Sequence, residues 1–377
     1  MALRGRLSRG TAMKESLLLQ WFAVAAALTA CFIVLLLKPA RSFDLIDHPV
    51  GRKTHCTPTP LVGGLAIFLG ATAAYFIAGL LPDFSVSFMA AILVTLGIGL
   101  ADDAHEIGHR SKFFAQIIAA LLIASGTEVH VMHFGDILGV GDVVLDKWSY
   151  LVTVIAIIGL MNAINMIDGL DGLAGSQVLI ALTAFLTVSM AGNNARLSLE
   201  LVILAGAVAG FLALNMRSPW RRRALTFMGD TGGLLLGLLL AWYAIRLGGP
   251  LQGAMMRPMT AVWCIALPLL DMGAVMFLRI LQRKSPFQAD RQHLHYVLLD
   301  AGLTVSQVVW LLAMLSAGLA MLALAADASG ISEAVMFAAF LALLVAYVRV
   351  LARPAGITRL VASLASPAKA PDSGTGS

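Results

Sequence analysis

The stretch WSYLVTVIAIIGLMNAINMIDGLDGLAGSQVLIALTAFLTVSMA, residues 148–191, is two apolar runs, 148–164 and 176–191, around a polar insert. Each run comes close to the roughly 20 apolar residues that cross the hydrocarbon of a bilayer. The insert, NAINMIDGLDGLAG (Asn162–Gly175), sets Asn162, Asn165, Asp168 and Asp171 at steps of three, and Gly169, Gly172 and Gly175 likewise. Residues three apart lie close on one helical face, so Asn165 and Asp168 are expected to point into one cavity. The glycines remove side-chain bulk and let a ligand or a second helix approach. Glycine-mediated helix packing would explain the glycines alone. It does not explain two aspartates at a membrane boundary, where ionisable groups are expensive and mark function.

The rest of the chain has the same texture. Of its 377 residues, 59% are hydrophobic and only 12% charged, against about 25% charged in a soluble domain. Apolar length and polar interruptions mark about eleven spans: 16–37, 61–81, 86–101, 113–126, 148–164, 176–191, 198–214, 230–247, 259–281, 306–326 and 333–351. The expected fold is an all-α integral membrane protein, a polytopic bundle of about 11 transmembrane helices over 1–353, with a disordered Pro/Ser/Gly-rich tail over 354–377. The first span is too long for a signal-peptide core and lacks a small-residue cleavage site, so it reads as a retained helix. Residues 128–146 read as an external loop with the β-branched runs of a small hairpin. There is no internal repeat. Cys31, Cys56 and Cys264 form no CxxC pair, so neither a zinc site nor a disulfide framework is indicated.

Lys and Arg fall unevenly. The connections after the even spans hold only Lys147, Arg196 and Arg257, whereas those after the odd spans hold Lys38, Arg41, Arg52, Lys53, Arg110, Lys112, Arg217, Arg221, Arg222, Arg223, Arg283, Lys284 and Arg291. The positive-inside rule puts the odd connections in the cytoplasm. Arg4, Arg6, Arg9 and Lys14 oppose that assignment, because with eleven spans the leader falls outside.

The odd connections also carry the chemistry-capable groups, so catalytic loops are expected on the cytoplasmic face. ADDAHEIGHRSK (101–112) offers Asp102 and Asp103, with Lys112 downstream. An isolated acid pair is a solvated helix end. Beside further acids it can hold Mg2+ or share a proton, and a lysine can meet a phosphate as a point charge. TFMGDTGG (226–233) puts Asp230 at the start of a helix, where bare amides suit a phosphate and the acid can bring a metal. Phe227 reads either as a base-stacking ring or as a packing aromatic. The connection 47–64 supplies Asp47 and Lys53, and DRQHLHY (290–296) supplies Arg291, His293 and His295. With acids elsewhere and no cysteine nearby, hard-ion and phosphate chemistry fits these histidines better than zinc. Asp271, beside Pro268 in the ninth span, is either a supporting site residue or a bundle-interior acid. The whole set suits Mg2+-dependent handling of a pyrophosphate whose partner lives in the membrane.

ADD, NAINMIDGLDGLAG, FMGDTGG and DRQHLH, in this order within residues 40–305, resemble the polyprenyl-phosphate N-acetylhexosamine-1-phosphate transferases (glycosyltransferase family 4). No single motif is specific; the ordered set is. The form NAxNMxDGxDGL is like the subgroup that starts O-antigen and related glycans, rather than the muramoyl-pentapeptide subgroup with its longer histidine run. The resemblance implies transfer of N-acetylglucosamine 1-phosphate from the UDP-sugar to undecaprenyl phosphate, with release of UMP, at the bacterial inner membrane. It implies Mg2+ as cofactor, with Mn2+ as a substitute, no nucleic acid, and a homodimer. By matching position it implies Asp230 and Asn165 as Mg2+ ligands, and Asp102, Asp103, Asp168, Asp171 and His293 as catalytic residues. It also implies uracil stacking by Phe227, and phosphate or sugar contacts from Lys112, Arg291, His295, Asp47 and Lys53. Relatives often read HxHH; here the third position is Tyr296, and His293 and His295 are expected to suffice. Another UDP-N-acetylhexosamine donor, such as a 6-deoxy sugar, stays open. The rival from another class is an ion-coupled transporter. Such proteins usually show repeats and broken helices at the midplane, whereas most polar groups here crowd one face.

Overall fold

The computed structural model describes residues 15–48, 58–81, 84–249, 254–286 and 291–356, with 358, 359 and 361. The leader cations, Arg52, Lys53, Cys56 and the tail from 362 lie outside the described residues. Each expected span folds as a helix except the ninth, which folds as two. In chain order the helices are α1 Glu15–Ser42, α2 Gly63–Ile77, α3 Val86–His105, α4 His109–Gly126, α5 Ser149–Ile167, α6 Leu173–Ala191 and α7 Ala195–Asn215. They continue with α8 Gly229–Gly248, α9 Pro258–Cys264, α10 Ala266–Leu281, α11 Leu294–Asp300, α12 Val305–Ala328 and α13 Glu333–Ala352. Two short strands, β1 Ile46–Asp47 and β2 Thr59–Pro60, pair antiparallel in the first connection.

The chain is a multi-pass membrane protein; the count of eleven spans is not confirmed. Among the described residues eight helices are long and apolar enough to cross, or nine if α9 and α10 are one span bent by 81°. Two expected spans fall short. α2 has 15 residues, under the roughly 20 that a bilayer needs. α4 opens His109-Arg110-Ser111-Lys112, so its apolar part begins only at Phe113. The α9–α10 bend falls at Ile265. Pro268 lacks an amide to donate, and its ring crowds the carbonyl four residues back, at Cys264.

The helices are held by close approach at small residues, as expected where lipid gives no hydrophobic drive between them. α1 lies along α7, and α5 along α8. A Cβ at Gly206 or Gly210 of α7 would collide with the Phe22 or Ala26 backbone of α1, and one at Gly237 of α8 with Met161 of α5. α7 is the most enclosed span and yet carries Glu200, fully buried. Its carboxylate accepts from Arg246 Nη1 at 2.6 Å and from Arg196 Nε at 3.1 Å. Paired from two sides, the buried charge is compensated.

One end of the bundle is pinned by Glu333 at the start of α13, which accepts from Asp136 N at 2.9 Å and Met259 N at 3.3 Å. An Arg257–Asp327 ion pair lies nearby in sequence and ties α9 to α12. At that end 128–146 closes as the expected small hairpin, with Phe134 and Gly135 bonded to Val143 and a bridge between His133 and Val144. The opposite end collects the polar connections.

Replacing Gly206 by Leu is expected to wedge α1 off α7 and to destabilise the bundle by about 2 kcal/mol. Heating detergent-solubilised protein and following the folded peak by size-exclusion chromatography should show earlier loss. Gly318→Leu, at a position where nothing lies within 4 Å, should leave the curve unchanged.

Candidate active site

Where α1, α3, α5 and α7 end and α2, α4, α6 and α8 begin, four connections converge on a cavity of about 660 Å³. Asp47, Asp102, Asp103, Asn165, Asp168, Asp171, Phe227 and Asp230 all line it. Residues nearly 200 positions apart in sequence therefore share one space, as the motifs on the odd connections led one to expect.

The start of α8 is built by its neighbours. Met228 at its N-cap makes no side-chain capping bond. Asp103 of α3 supplies the acceptors instead. Its Oδ1 takes Asp230 N at 2.7 Å, and its Oδ2 takes Thr231 N at 3.1 Å and Thr231 Oγ1 at 2.6 Å. This corrects the expectation of bare amides ready for a phosphate: two first-turn amides are already engaged. Gly229 makes the contact possible. It has φ +71°, and a Cβ there would sit 2.5 Å from Asp103 Oδ2. β2 holds the approach to α8 from the other side. Phe227 N donates to Pro60 O, and Gly63 N and Gly64 N donate to Phe227 O and Met228 O, all at 2.9 Å.

Asp230 then meets its partners. Lys112 Nζ bridges Asp230 Oδ2 at 2.6 Å and Asp102 Oδ2 at 2.9 Å, and Asn165 Nδ2 donates to Asp230 Oδ1 at 3.0 Å. Burial works against the Lys112 charge, but the Asp230 and Asp102 carboxylates outweigh it and hold the ammonium above the ordinary lysine range. Asp102 Oδ1 is buried and has no hydrogen-bond partner. The two acids of the pair thus differ: Asp103 is committed to the α8 backbone, and Asp102 keeps one oxygen open.

The period-three reading of 162–175 holds only in part. α5 stops at Ile167, and Asp168 caps it outside helical geometry, with ψ +63°. Asn165, Asp168 and Asp171 still reach the cavity, the last two from a turn rather than a helix face. Asn162 turns away, donating to Gln116 Oε1 at 2.7 Å and to Ile158 O at 2.8 Å. Burial first, then the charges of Asp230, Asp103 and Asp171, push the Asp168 carboxyl up to about 8. Asp171 is paired with Arg217 Nε at 2.7 Å.

The histidine loop stands behind the wall. His293 is 5% exposed, with Nδ1 2.6 Å from Asp271 Oδ2, while Asp271 Oδ1 accepts from Leu294 N at 3.0 Å and Tyr347 OH at 2.9 Å. This resolves Asp271 as the support of the loop. His295 Nε2 is buried without a partner, and a Cβ on Gly169 would meet it, so the glycine lets the ring dock on the turn. Burial pushes His295 down to about 4, so its ring is neutral. Arg291 lies 4.8 Å over the Tyr296 ring and pairs with Asp300 at 3.3 Å. Of this group Tyr296 is the one that lines the cavity.

Several wall residues were not singled out from the sequence. Arg217 entered only through the charge distribution, and Asp44 looked like any loop acid. Asn215 had one readable signal, an amide closing an apolar span. It accepts from Gly172 N at 2.6 Å and donates to Thr226 O at 2.8 Å, clamping the 168–172 turn to the segment before α8.

A sequence profile described as Glycosyl transferase family 4 matches residues 85–248, which hold most of these side chains. Undecaprenyl-phosphate alpha-N-acetylglucosaminyl 1-phosphate transferase of Haemophilus influenzae is 33% identical over 343 residues, 91% of this chain and 96% of that protein. The chain belongs to glycosyl transferase family 4. Proteins of the same name from Pasteurella multocida and Escherichia coli K12 are 33% and 30% identical, covering 92% and 83% of this chain and 97% and 85% of their own lengths. These family 4 relatives match beyond the profile region on both sides, so the likeness extends over the bundle as well as the central motifs.

Loss of an N-cap costs about 1–2 kcal/mol. Asp103→Ala is therefore expected to speed amide exchange in the opening turn of α8 by about tenfold. Mass-spectrometric exchange on the peptide that begins at Gly229 reads this. Asp102→Ala, which removes no bond to that backbone, should leave the same peptide unchanged.

Proposed function

We propose that this chain transfers N-acetylglucosamine 1-phosphate from UDP-N-acetylglucosamine to undecaprenyl phosphate and releases UMP, with its cavity facing the cytoplasm of a bacterial inner membrane. This would be the first membrane step of O-antigen or a related envelope polysaccharide. The observation that carries the reading is the Asp102–Lys112–Asp230 bridge, one cation held by two acids that line the 660 Å³ cavity. Small-molecule sites span about 300–1,000 Å³. The relatives named above, matched over nearly their whole lengths, support the transferred group and the acceptor, because their name states N-acetylglucosaminyl 1-phosphate and undecaprenyl phosphate.

The donor set suits Mg2+. Among the described residues no three acid, histidine or cysteine side chains form a ready cage. Mg2+ does not need one: it takes one or two carboxylates and completes its shell with water and substrate phosphates. Asp230, Asn165 and the unpartnered Asp102 Oδ1 are hard ligands of that kind. Bound there, Mg2+ would neutralise the charge that develops on UMP.

The chain's own groups do the rest. Phe227 offers a face to the uracil. Lys112 and Arg217 draw the diphosphate into a cavity otherwise rich in acids. A phosphate oxygen of the lipid attacks the sugar-bearing β-phosphorus. The new P–O bond forms as the bond from that phosphorus to the bridging oxygen breaks, and UMP departs. Asp102 Oδ1 orients the lipid phosphate or takes its proton, and Asp103 acts as a positioning residue that keeps Asp230 in place. Catalysis of this kind rests on positioning and charge neutralisation.

Purified protein with Mg2+, undecaprenyl phosphate and UDP-N-acetylglucosamine should release UMP only when the lipid is present. EDTA should abolish release, and Asp230→Asn or Asp102→Asn should lower it by about 100-fold or more. A well-folded sample that releases no UMP from this donor, but does so from another UDP-N-acetylhexosamine, would move the substrate. Inactivity with every such donor would withdraw the transferase reading.

A further inference from the structure

At the cavity end of the bundle two groups of exposed side chains take no part in the site. One is Lys38, Arg41 and Phe43 at the end of α1; the other is Trp220, Arg222 and Arg223 in the segment between α7 and α8. Trp220 is 93% exposed and Phe43 is 70% exposed. The indole is held out by a defined turn. Ser218 and Arg221 exchange backbone hydrogen bonds at 2.8 and 3.0 Å, and Arg221 Nη2 donates to Ala213 O at 2.7 Å and Met216 O at 2.9 Å, closing the end of α7. Phe22 meets Gly206 and Ala26 meets Gly210, so α1 and α7 run parallel in contact and both groups emerge beside the same helix pair.

A bare indole in water is unfavourable. At headgroup depth its ring meets apolar chains while its N–H stays wet. Arginines and lysines beside a span end are drawn to the anionic leaflet surface. We propose that these two groups form one basic–aromatic collar that docks on anionic phospholipid headgroups next to the cavity mouth. The same two segments carry Asp44 and Arg217, which line the cavity. Docking the collar therefore fixes the depth of the cavity relative to the headgroups. The inference rests on the membrane fold and not on the proposed reaction, and its test reads lipid contact alone.

The full chain is reconstituted in vesicles of phosphatidylcholine and phosphatidylglycerol, with one or the other lipid brominated at the same mole fraction. The emission lost in Trp220→Leu isolates the Trp220 signal. That signal should be quenched by bromolipid, and by brominated phosphatidylglycerol about twofold or more over brominated phosphatidylcholine. Arg222→Gln with Arg223→Gln should keep the quenching and erase the preference. If the Trp220 signal is quenched by aqueous acrylamide and by neither bromolipid, the collar stands in water or against a protein, and the proposal fails. Equal quenching by the two lipids also overturns it, because the headgroup charge then plays no part.

Discussion

Asp103 of α3 supplies the acceptors that the first turn of α8 lacks, and the cavity depends on those three hydrogen bonds. A helix that begins at a membrane boundary has four amides without internal partners. Here two of them are met by a carboxylate 127 residues upstream. Every tight approach around that point follows. Gly99 lets α3 come against Thr231, Gly64 lets α2 come against Gly232, and Gly229 takes a left-handed conformation at the carboxylate itself. With the turn fixed, Asp230 stands where Lys112 and Asn165 can reach it. Polar bonding and small-residue packing thus act on the same few residues.

Much of this was legible in the sequence, for identifiable reasons. Span positions follow from hydropathy, which depends on local composition, so each expected segment proved helical. The grouping of Asp47, Asp102, Asp230 and the DGLDG turn followed from their placement on alternate connections, because an up-and-down bundle brings alternate connections to one end. What stayed hidden depends on three-dimensional partners. Asp102 and Asp103 are adjacent and chemically identical, and only the position of α8 separates the capping acid from the one with an open oxygen. Asn162 and Asn165 share one pattern, but Gln116 of α4 claims the first. Asp271 could not be placed because its partners, His293 and Tyr347, come from two later parts of the chain. The span count is left open at α2 and α4, where a helix exists but its apolar stretch is shorter than a bilayer needs.

The histidine loop shows how a departure from a motif can be accommodated. Tyr296 takes the third position of the HxHH form that the motif resembles, and its ring forms cavity wall beside His295 and Arg291. His293 and His295 stand behind that wall, one bonded to Asp271 and one against Gly169. A phenol keeps an aromatic face and a hydroxyl in the position while giving up a group that titrates near neutrality.

Lys112 gives the cavity a counter-ion tethered to the chain. Its ammonium already spans the two acids that any incoming divalent cation would seek. On the proposed reading, loading the cavity with metal would exchange one positive charge for another instead of filling an uncompensated acidic hole. With the ammonium between them the acids need not repel one another, and the helices that carry them can stay packed. Such an exchange would weaken the apparent grip on the metal, because binding would first displace the lysine. Once displaced, that ammonium would be on hand for a phosphate of the proposed substrate.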